Sequence, residues 1–205
     1  MQMRIFMIMM AFGLIIADRS GALATEKACT VNDAACKELA KLAAAEQYDR
    51  IIEKVDADQK YSEASKSYIG QAYLMMAGKE SNTPEQEEQL CLKALEYGAT
   101  SAYMGLYFIH AGQNSEKAIG FLKQYVATKP QDSVPYVLLG EVEMEKENYE
   151  TANRYLREAK SVARGHSTNL AWMLFRVNYL LGDFAYASVM LDGALAQGQF
   201  INELK

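Results

Sequence analysis

The chain is poor in residues that interrupt regular structure. Only three of its 205 residues are proline and one is tryptophan, whereas hydrophobic residues make up 50%. So few prolines argue against a turn-rich β-sandwich and against a proline-rich disordered chain. Alanine, leucine, glutamate and lysine are frequent, and all four favour helix. The composition therefore predicts a mostly helical protein, large enough to bury a core without metal ions or staples.

An excess of positive charge is also missing. Lysine and arginine number 21 against 26 aspartates and glutamates, which gives a net charge of −5 and a pI near 5.2. Proteins that bind nucleic acid usually carry a basic patch or stripe on their surface. We therefore expect no nucleic-acid partner.

The sequence lacks the motifs that mark common catalytic and cofactor sites. Its two histidines, His110 and His166, lie far apart, and neither H-E-x-x-H, G-x-S-x-G, a phosphate-binding loop nor G-x-G-x-x-G occurs. Glutamate alternates with other residues over 141–147, but acids two apart on a helix point in different directions. Such a pattern is typical of a solvated face rather than of an acid–base pair. We expect no enzyme activity, no cofactor and no metal site.

The N-terminus has the layout of an export signal. Arg4 precedes the apolar run Ile5–Ala17, and the small-x-small sequence Ala22–Ala24 follows. The run is shorter than the roughly 20 residues that a membrane-spanning helix needs, and the layout is typical of a cleaved secretory signal. We predict a signal peptide over 1–24 and a mature chain from Thr25 with no membrane span, in the periplasm or secreted. An uncleaved anchor or a buried N-terminal helix is the alternative.

Three cysteines follow the predicted signal: Cys29, Cys36 and Cys91. An oxidising compartment permits disulfides, and the closeness of Cys29 and Cys36 in the chain favours that pair. Cys91 lies on an apolar helical face, which favours a buried free thiol. Pairing of Cys91 with either of the others stays open because the count is odd. The C-x6-C spacing matches neither a zinc ribbon nor a redox C-x-x-C motif.

Two sets of residues recur along the chain with a period of 34 or 35. The first set is Gly70, Gly105 and Gly140, and the second consists of the pairs Ala118 and Leu122, Ala152 and Leu156, and Ala187 and Leu191. Two independent sets with one period predict a stack of similar helix pairs. The alternative is that these small and apolar residues simply pack a helical bundle.

One segment resembles the tetratricopeptide repeat, a pair of helices with characteristic small and aromatic positions. It contains Tyr136, then Leu139 with Gly140, then Ala152 and Leu156 on the following helix. In such a pair the small residues at positions 140 and 152 let the two helices approach closely. We therefore expect Gly140 to lie at a close helix–helix contact.

The last unit matches the same family pattern less well. It contains Trp172, Phe175 and Tyr179 at the aromatic and aliphatic positions, but Arg176 occupies the place of the small residue. Residues 94–112 also resemble the related Sel-like repeat. Both resemblances imply an all-α fold, a right-handed α-solenoid of about five antiparallel helix pairs that forms a single domain over 25–205.

The resemblance also implies a place for binding. In this family the first helices of the stack line a concave groove that holds a peptide or a partner helix. The family's inward-facing positions fall on Gln71, Met75, Leu106, His110, Glu141, Met144 and Glu145, with Met173, Val177 and Leu180 continuing the surface. The positions that would form a cationic clamp for a C-terminal carboxylate hold neutral residues, so we expect no such clamp.

The resemblance and the export signal together favour an exported adaptor without catalytic activity. It would bind a peptide or a protein partner during cell-envelope assembly, secretion or pilus biogenesis. The alternative is an accessory subunit of an enzyme complex or a helical protein that binds a small ligand. The oligomeric state is left open.

Overall fold

The computed structural model describes residues 29–30, 33–112, 115–164 and 167–195. These residues form ten helices and no strand, so the predicted all-α class is confirmed. The predicted signal peptide and its cleavage site, His166 and residues 196–205 lie outside the described residues. The helices are α1 (Ala34–Ala44), α2 (Tyr48–Glu53), α3 (Glu63–Ala77), α4 (Pro84–Glu96), α5 (Ala102–Ala111), α6 (Ser115–Ala127), α7 (Val134–Glu145), α8 (Tyr149–Val162), α9 (Thr168–Leu180) and α10 (Phe184–Leu195).

Local side-chain hydrogen bonds define where helices begin. Asp33 Oδ1 accepts a hydrogen bond of 2.8 Å from the backbone N–H of Cys36, which satisfies a free donor in the first turn of α1. At α4, the Thr83 backbone N–H donates to Gln86 Oε1 and the Gln86 backbone N–H donates to Thr83 Oγ1. This reciprocal pair is a capping box, and Pro84 fits beside it because the first helical residue needs no N–H partner.

The described residues divide into two compact units, and the boundary falls within α6, after Phe121. The first unit contains two core clusters. One joins α1, α2 and α3 around the fully buried Ile51 and Ile69. The other joins α3, α4 and α5 around the fully buried Cys91 and Leu106. The prediction of a single domain over 25–205 stays a prediction.

The second unit has a core cluster drawn from α7 to α10. Leu156 on α8 and Leu174 and Val177 on α9 are fully buried in it. Helix α7 packs against α8, α8 against α9, and α9 against α10. Each helix therefore buries apolar side chains against its neighbour in the chain, as expected when no pair can bury its apolar face alone.

Two of the recurring glycines lie at close helix contacts. A Cβ atom on Gly140 would lie 2.7 Å from Leu156 Cδ2, and a Cβ atom on Gly70 would lie 2.9 Å from Ala99 Cβ and 3.2 Å from the Tyr97 carbonyl oxygen. Neither position can accept a side chain unless a neighbour moves. The predicted close contact at Gly140 is confirmed.

The second recurring set is also largely buried. Ala118, Ala152 and Ala187 are at most 2% exposed. Among the leucines that follow them by four residues, Leu191 alone is half-buried rather than buried. The period seen in the sequence therefore marks the positions where second helices of the pairs face the core.

The cysteines pair as predicted. Cys29 and Cys36 form a disulfide with their Cα atoms 5.7 Å apart, and Cys91 is a free, buried thiol. Burial, followed by the negative charges of Glu87 and Glu88, raises the pKa of the Cys91 thiol to about 12. The reactive thiolate is thus strongly disfavoured at neutral pH. The alternative pairing of Cys91 with another cysteine is wrong.

Candidate interaction surface

Four of the predicted groove residues belong to the first unit. Gln71 and Met75 on α3 are half-buried. On α5, Leu106 is fully buried in the cluster with α3 and α4, and His110 is 8% exposed. Leu106 is therefore a core residue that a partner cannot reach in this structure, and we leave it out of the surface described below.

His110 belongs to an interior polar contact. Its Nε2 lies 3.1 Å from Glu88 Oε1, which also accepts a 2.8 Å hydrogen bond from Lys117 Nζ. The His110 ring stacks on Phe121 with the centroids 5.6 Å apart. Nε2 is buried and close to this carboxylate without forming a well-aligned hydrogen bond. Lys117 first, and His110 second, hold the pKa of the Glu88 carboxyl below its usual value.

The other three predicted residues lie on α7, in the second unit. Glu141 and Glu145 are exposed, and Met144 is half-buried against the core cluster. Glu141 and Glu145 are one helical turn apart and share a face. Partial loss of hydration raises the pKa of Glu141 above its usual value, and the charge of Glu145 adds to that rise. Helix α7 thus presents an acidic face with a methionine beside it.

Between these acids, Glu143 points the other way. It is 7% exposed, and its Oε2 accepts a 2.9 Å hydrogen bond from Asn148 Nδ2 at the start of α8. A buried carboxylate needs such a partner because desolvation is costly. Alternate glutamates on α7 therefore have different roles, two at the surface and one in the contact between α7 and α8.

The corresponding face of α9 is aromatic and basic. Adding the 35-residue period to the α7 positions gives Arg176, Tyr179 and Leu180, which are all exposed, Tyr179 to 57% and Leu180 to 51%. Met173 and Val177, which we expected on the surface beside Leu180, are 5% and 0% exposed. That expectation is wrong because both side chains pack into the core of the second unit.

Four aromatic rings follow one another along α9 and into α10. The ring centroids of Trp172 and Phe175 are 5.0 Å apart, those of Phe175 and Tyr179 are 6.0 Å apart, and those of Tyr179 and Phe184 are 5.4 Å apart. Trp172 and Phe175 are half-buried, whereas Phe184 is 62% exposed. We call these four residues the aromatic ladder.

The sequence interpretation placed three ladder residues inside the last helix pair, and the structure corrects this by one position. Leu174 and Asn178 on α9 are fully buried, and they lie 35 residues after Leu139 and Glu143. The spacing Trp-x2-Phe-x3-Tyr matches the family pattern but belongs to the outer face. The signal that could have found this was Ala187, which lies 35 residues after Ala152 and fixes the same register.

Asn178 is held by hydrogen bonds from several sides. Its Nδ2 donates to the Leu174 carbonyl oxygen at 2.7 Å and to Asn153 Oδ1 at 3.2 Å. Its Oδ1 accepts from Asn153 Nδ2 at 3.1 Å and from Arg157 Nη2 at 3.3 Å. The Arg157 guanidinium also lies 4.2 Å from the centroid of the Tyr186 ring, a favourable cation–π contact. This polar network joins α8, α9 and α10 behind the aromatic ladder.

No group of three His, Cys, Asp or Glu side chains in the described part of the chain is placed to hold a metal ion. None of the helices described combines the length and the apolar character needed to cross a membrane.

No protein-family model matches the chain, and no curated protein matches it either. Among solved structures, the chain is similar to MamA AMB-1 in crystal form P212121, with 14% identity and a TM-score of 0.49 over 83% of this chain and 94% of that one. A crystal structure of MamA shows 15% identity and a TM-score of 0.47, over 85% and 98%. MamA MSR-1 in form C2 shows 14% identity and a TM-score of 0.44, over 78% and 92%.

Proposed function

We propose that this protein is an exported, non-catalytic helical-repeat module that binds a protein partner through the second unit. The observation that carries the proposal is the aromatic ladder, whose last two members, Tyr179 and Phe184, are 57% and 62% exposed. Exposed apolar patches on a folded protein commonly mark protein-interaction sites. Aromatic residues and arginine are also the side chains that contribute most to interface energy.

The faces of α7 and α9 suggest the chemistry of the partner. Helix α9 offers the ladder together with Arg176, whereas α7 offers Glu141 and Glu145. A fitting partner segment has an apolar strip that covers the aromatic rings, flanked by an acid for Arg176 and by basic residues for the acids. The charges would set orientation and association rate, and the rings would supply most of the affinity.

The proposed compartment is the cell envelope or the exterior. The Cys29–Cys36 disulfide supports it, because structural disulfides persist in oxidising compartments. The apolar run and small-x-small site before Thr25 agree with export. Within that compartment we propose a scaffolding role in envelope assembly, secretion or pilus biogenesis.

Quantitative affinity capture tests the proposal. The protein is used as bait on the envelope fraction of its own cells, beside a variant that combines Tyr179→Ser with Phe184→Ser. Because both side chains are exposed, we expect the variant to keep its helical circular dichroism and melting temperature. We expect it to lose at least about tenfold in capture of the partner, a change of about 1.4 kcal/mol.

Leu92→Ser is the matched control, since Leu92 is an exposed apolar residue of the first unit at 36% exposure. It should capture the partner as the wild type does. Equal capture by the ladder variant and the wild type would show that the second unit does not bind through its aromatic ladder.

A further inference from the structure

The second unit contains a pocket that is separate from the aromatic ladder. Its volume is about 490 Å³, and it is formed by the end of α6, the segment after it, the start of α7 and one face of α8. Apolar parts of Val126, Pro130, Tyr155 and Val162 line it. A volume of this order is in the range of small-ligand pockets, which are mostly apolar with a few placed polar groups.

Two cations stand at the rim of this pocket. Lys129 and Arg154 both line it and are exposed. Among the described residues, neither forms an ion pair with a carboxylate, and Arg154 Cζ lies 5.4 Å from the centroid of the Tyr155 ring. A guanidinium beside an aromatic ring is oriented for a planar anion such as a carboxylate.

The backbone at Lys129 is left-handed, as it also is at Glu46 and Glu147. The φ angle of Lys129 is 53°, a left-handed conformation, and at the turn after α4 the same region is occupied by Gly98 with φ 81°. A residue with a Cβ pays a small energetic penalty in this region, whereas glycine does not. Lys129 thus adopts a backbone conformation that glycine adopts with less strain, and Lys129 lines the pocket.

Three further polar residues, Gln131, Tyr136 and Glu158, also line the pocket. Tyr136 is 5% exposed, and Glu158 is exposed. Burial, and then the charge of Glu158, raise the pKa of the Tyr136 phenol above its usual value. The phenol therefore stays protonated at neutral pH and can donate a hydrogen bond, while the Glu158 carboxylate can accept one.

We propose that this pocket binds a carboxylate that is attached to an apolar group. The Arg154 guanidinium and the Lys129 ammonium would hold the carboxylate, and the apolar group would lie against Val126, Tyr155 and Val162. Glu158 would accept a hydrogen bond from an amide N–H next to the carboxylate. This ligand chemistry is found in free N-acylated amino acids and at peptide C-termini that end in an apolar residue.

Calorimetric titration of the purified full chain tests this. The probe is N-acetyl-L-phenylalanine, and the comparison ligands are its C-terminal amide, which lacks the carboxylate, and acetate, which lacks the apolar group. We expect both comparison ligands to bind at least about tenfold more weakly than the probe. Failure of the probe to bind at millimolar concentration, or equal affinity for either comparison ligand, would overturn the proposal.

Variants link the binding to these residues. Arg154→Gln removes the guanidinium, and Lys129→Gly removes the ammonium while suiting the left-handed backbone, so the fold should be retained. We expect each to weaken probe binding by about tenfold, which is about 1.4 kcal/mol. Arg50→Gln, at an exposed arginine of α2 that lies outside the pocket and has no proposed binding role, is the control and should bind normally. Unchanged affinity in both pocket variants contradicts the proposal.

A peptide that ends in phenylalanine distinguishes the two sources of the ligand. If it binds more tightly than the probe and loses affinity when amidated, the proposal is supported with a protein C-terminus as the source. If it binds no more tightly than the probe and the pocket variants weaken both, the proposal is supported with a free acid as the source.

Discussion

The same three positions of the repeat differ in side-chain exposure between α5, α7 and α9. They are occupied by Leu106, Ile109 and His110 in α5, by Glu141, Met144 and Glu145 in α7, and by Arg176, Tyr179 and Leu180 in α9. In α5 all three are at most 8% exposed, whereas Tyr179 and Leu180 in α9 are more than half exposed. The regular period therefore predicts where equivalent helices lie in the chain. Which face of each helix is exposed to solvent depends on the helices that surround it.

The reason for the difference lies in what covers each helix. In the first unit, Glu88 from α4 and Phe121 from α6 lie against His110, and Leu106 packs among apolar residues of α3 and α4. In the second unit, Tyr179 contacts the neighbouring rings of the ladder and is still more than half exposed. This face therefore packs into the core in α5, whereas in α9 it is the exposed face that we propose for partner binding.

The largest loss of stability is expected from truncating Leu106, the buried residue at this position of α5. Leu106→Ala removes a fully buried side chain and should lower the free energy of unfolding by about 3 kcal/mol, since the site cannot refill the cavity. Arg176→Ala, at the equivalent position of α9, should change it by no more than about 0.5 kcal/mol. Urea unfolding followed by circular dichroism measures both. Equal losses in the two variants would show that the two faces are not different.

A second test concerns glycine in the second unit. Gly140→Leu should lower the free energy of unfolding by about 2–3 kcal/mol, because even a Cβ atom there meets Leu156 at 2.7 Å. Among the described residues, no atom lies within 4 Å of a Cβ position on Gly193 of α10, so Gly193→Leu is the matched control. It should be neutral or stabilising by up to about 1 kcal/mol through helix propensity. Thermal melting distinguishes them, and a stable Gly140→Leu variant would contradict the close contact.

The buried polar pair provides a third comparison. Asn178→Ala should cost about 2 kcal/mol, because it leaves Asn153 and the Leu174 carbonyl oxygen without this partner inside the core. Glu143→Ala should cost only about 1 kcal/mol, because its partner Asn148 is exposed and can bind water instead. Urea unfolding of both variants checks the order. A larger loss for Glu143→Ala would place the main polar contact of this unit at α7 rather than α9.

The smallest effect comes from the acidic face of α7. The raised pKa of Glu141 means that the fold favours its neutral form, so the protein loses stability as pH rises through that pKa. Glu141→Gln should therefore raise the free energy of unfolding at neutral pH by only about 0.3 kcal/mol, since the group is exposed. The difference from wild type should vanish in acid, where the wild-type carboxyl is itself protonated. A lower melting temperature for Glu141→Gln at neutral pH would reverse the assignment.

The sequence was sufficient to predict the helical class, the disulfide and the close contact at Gly140. These depend on local features: small residues at a fixed period, and two cysteines seven residues apart. A single sequence shows such features because the period of the small residues and the spacing of the cysteines can be read directly from it.

Which helix faces are exposed and which are buried could not be predicted from the sequence in the same way. His110 and Leu106 occupy positions that face a groove in the resembling family, but here their burial depends on side chains from other helices. The aromatic ladder was misplaced because Trp172, Phe175 and Tyr179 match the family's aromatic and aliphatic positions, whereas the buried residues one position earlier, Leu174 and Asn178, form no aromatic pattern. Ala187, which lies 35 residues after Ala152 and is 2% exposed, agrees with the register that the structure shows for α9.

The buried thiol of Cys91 allows local opening of the first unit to be measured separately from opening of the second. Because Cys29 and Cys36 form a disulfide, Cys91 is the one cysteine of the chain with a free thiol. With a pKa near 12 and no exposed surface, it should resist alkylation until the cluster of α3, α4 and α5 opens. The labelling rate of the wild-type protein by a thiol reagent therefore reports how often that cluster opens, without any probe being added. Substitutions in the second unit that leave this rate unchanged would show that the two units open independently.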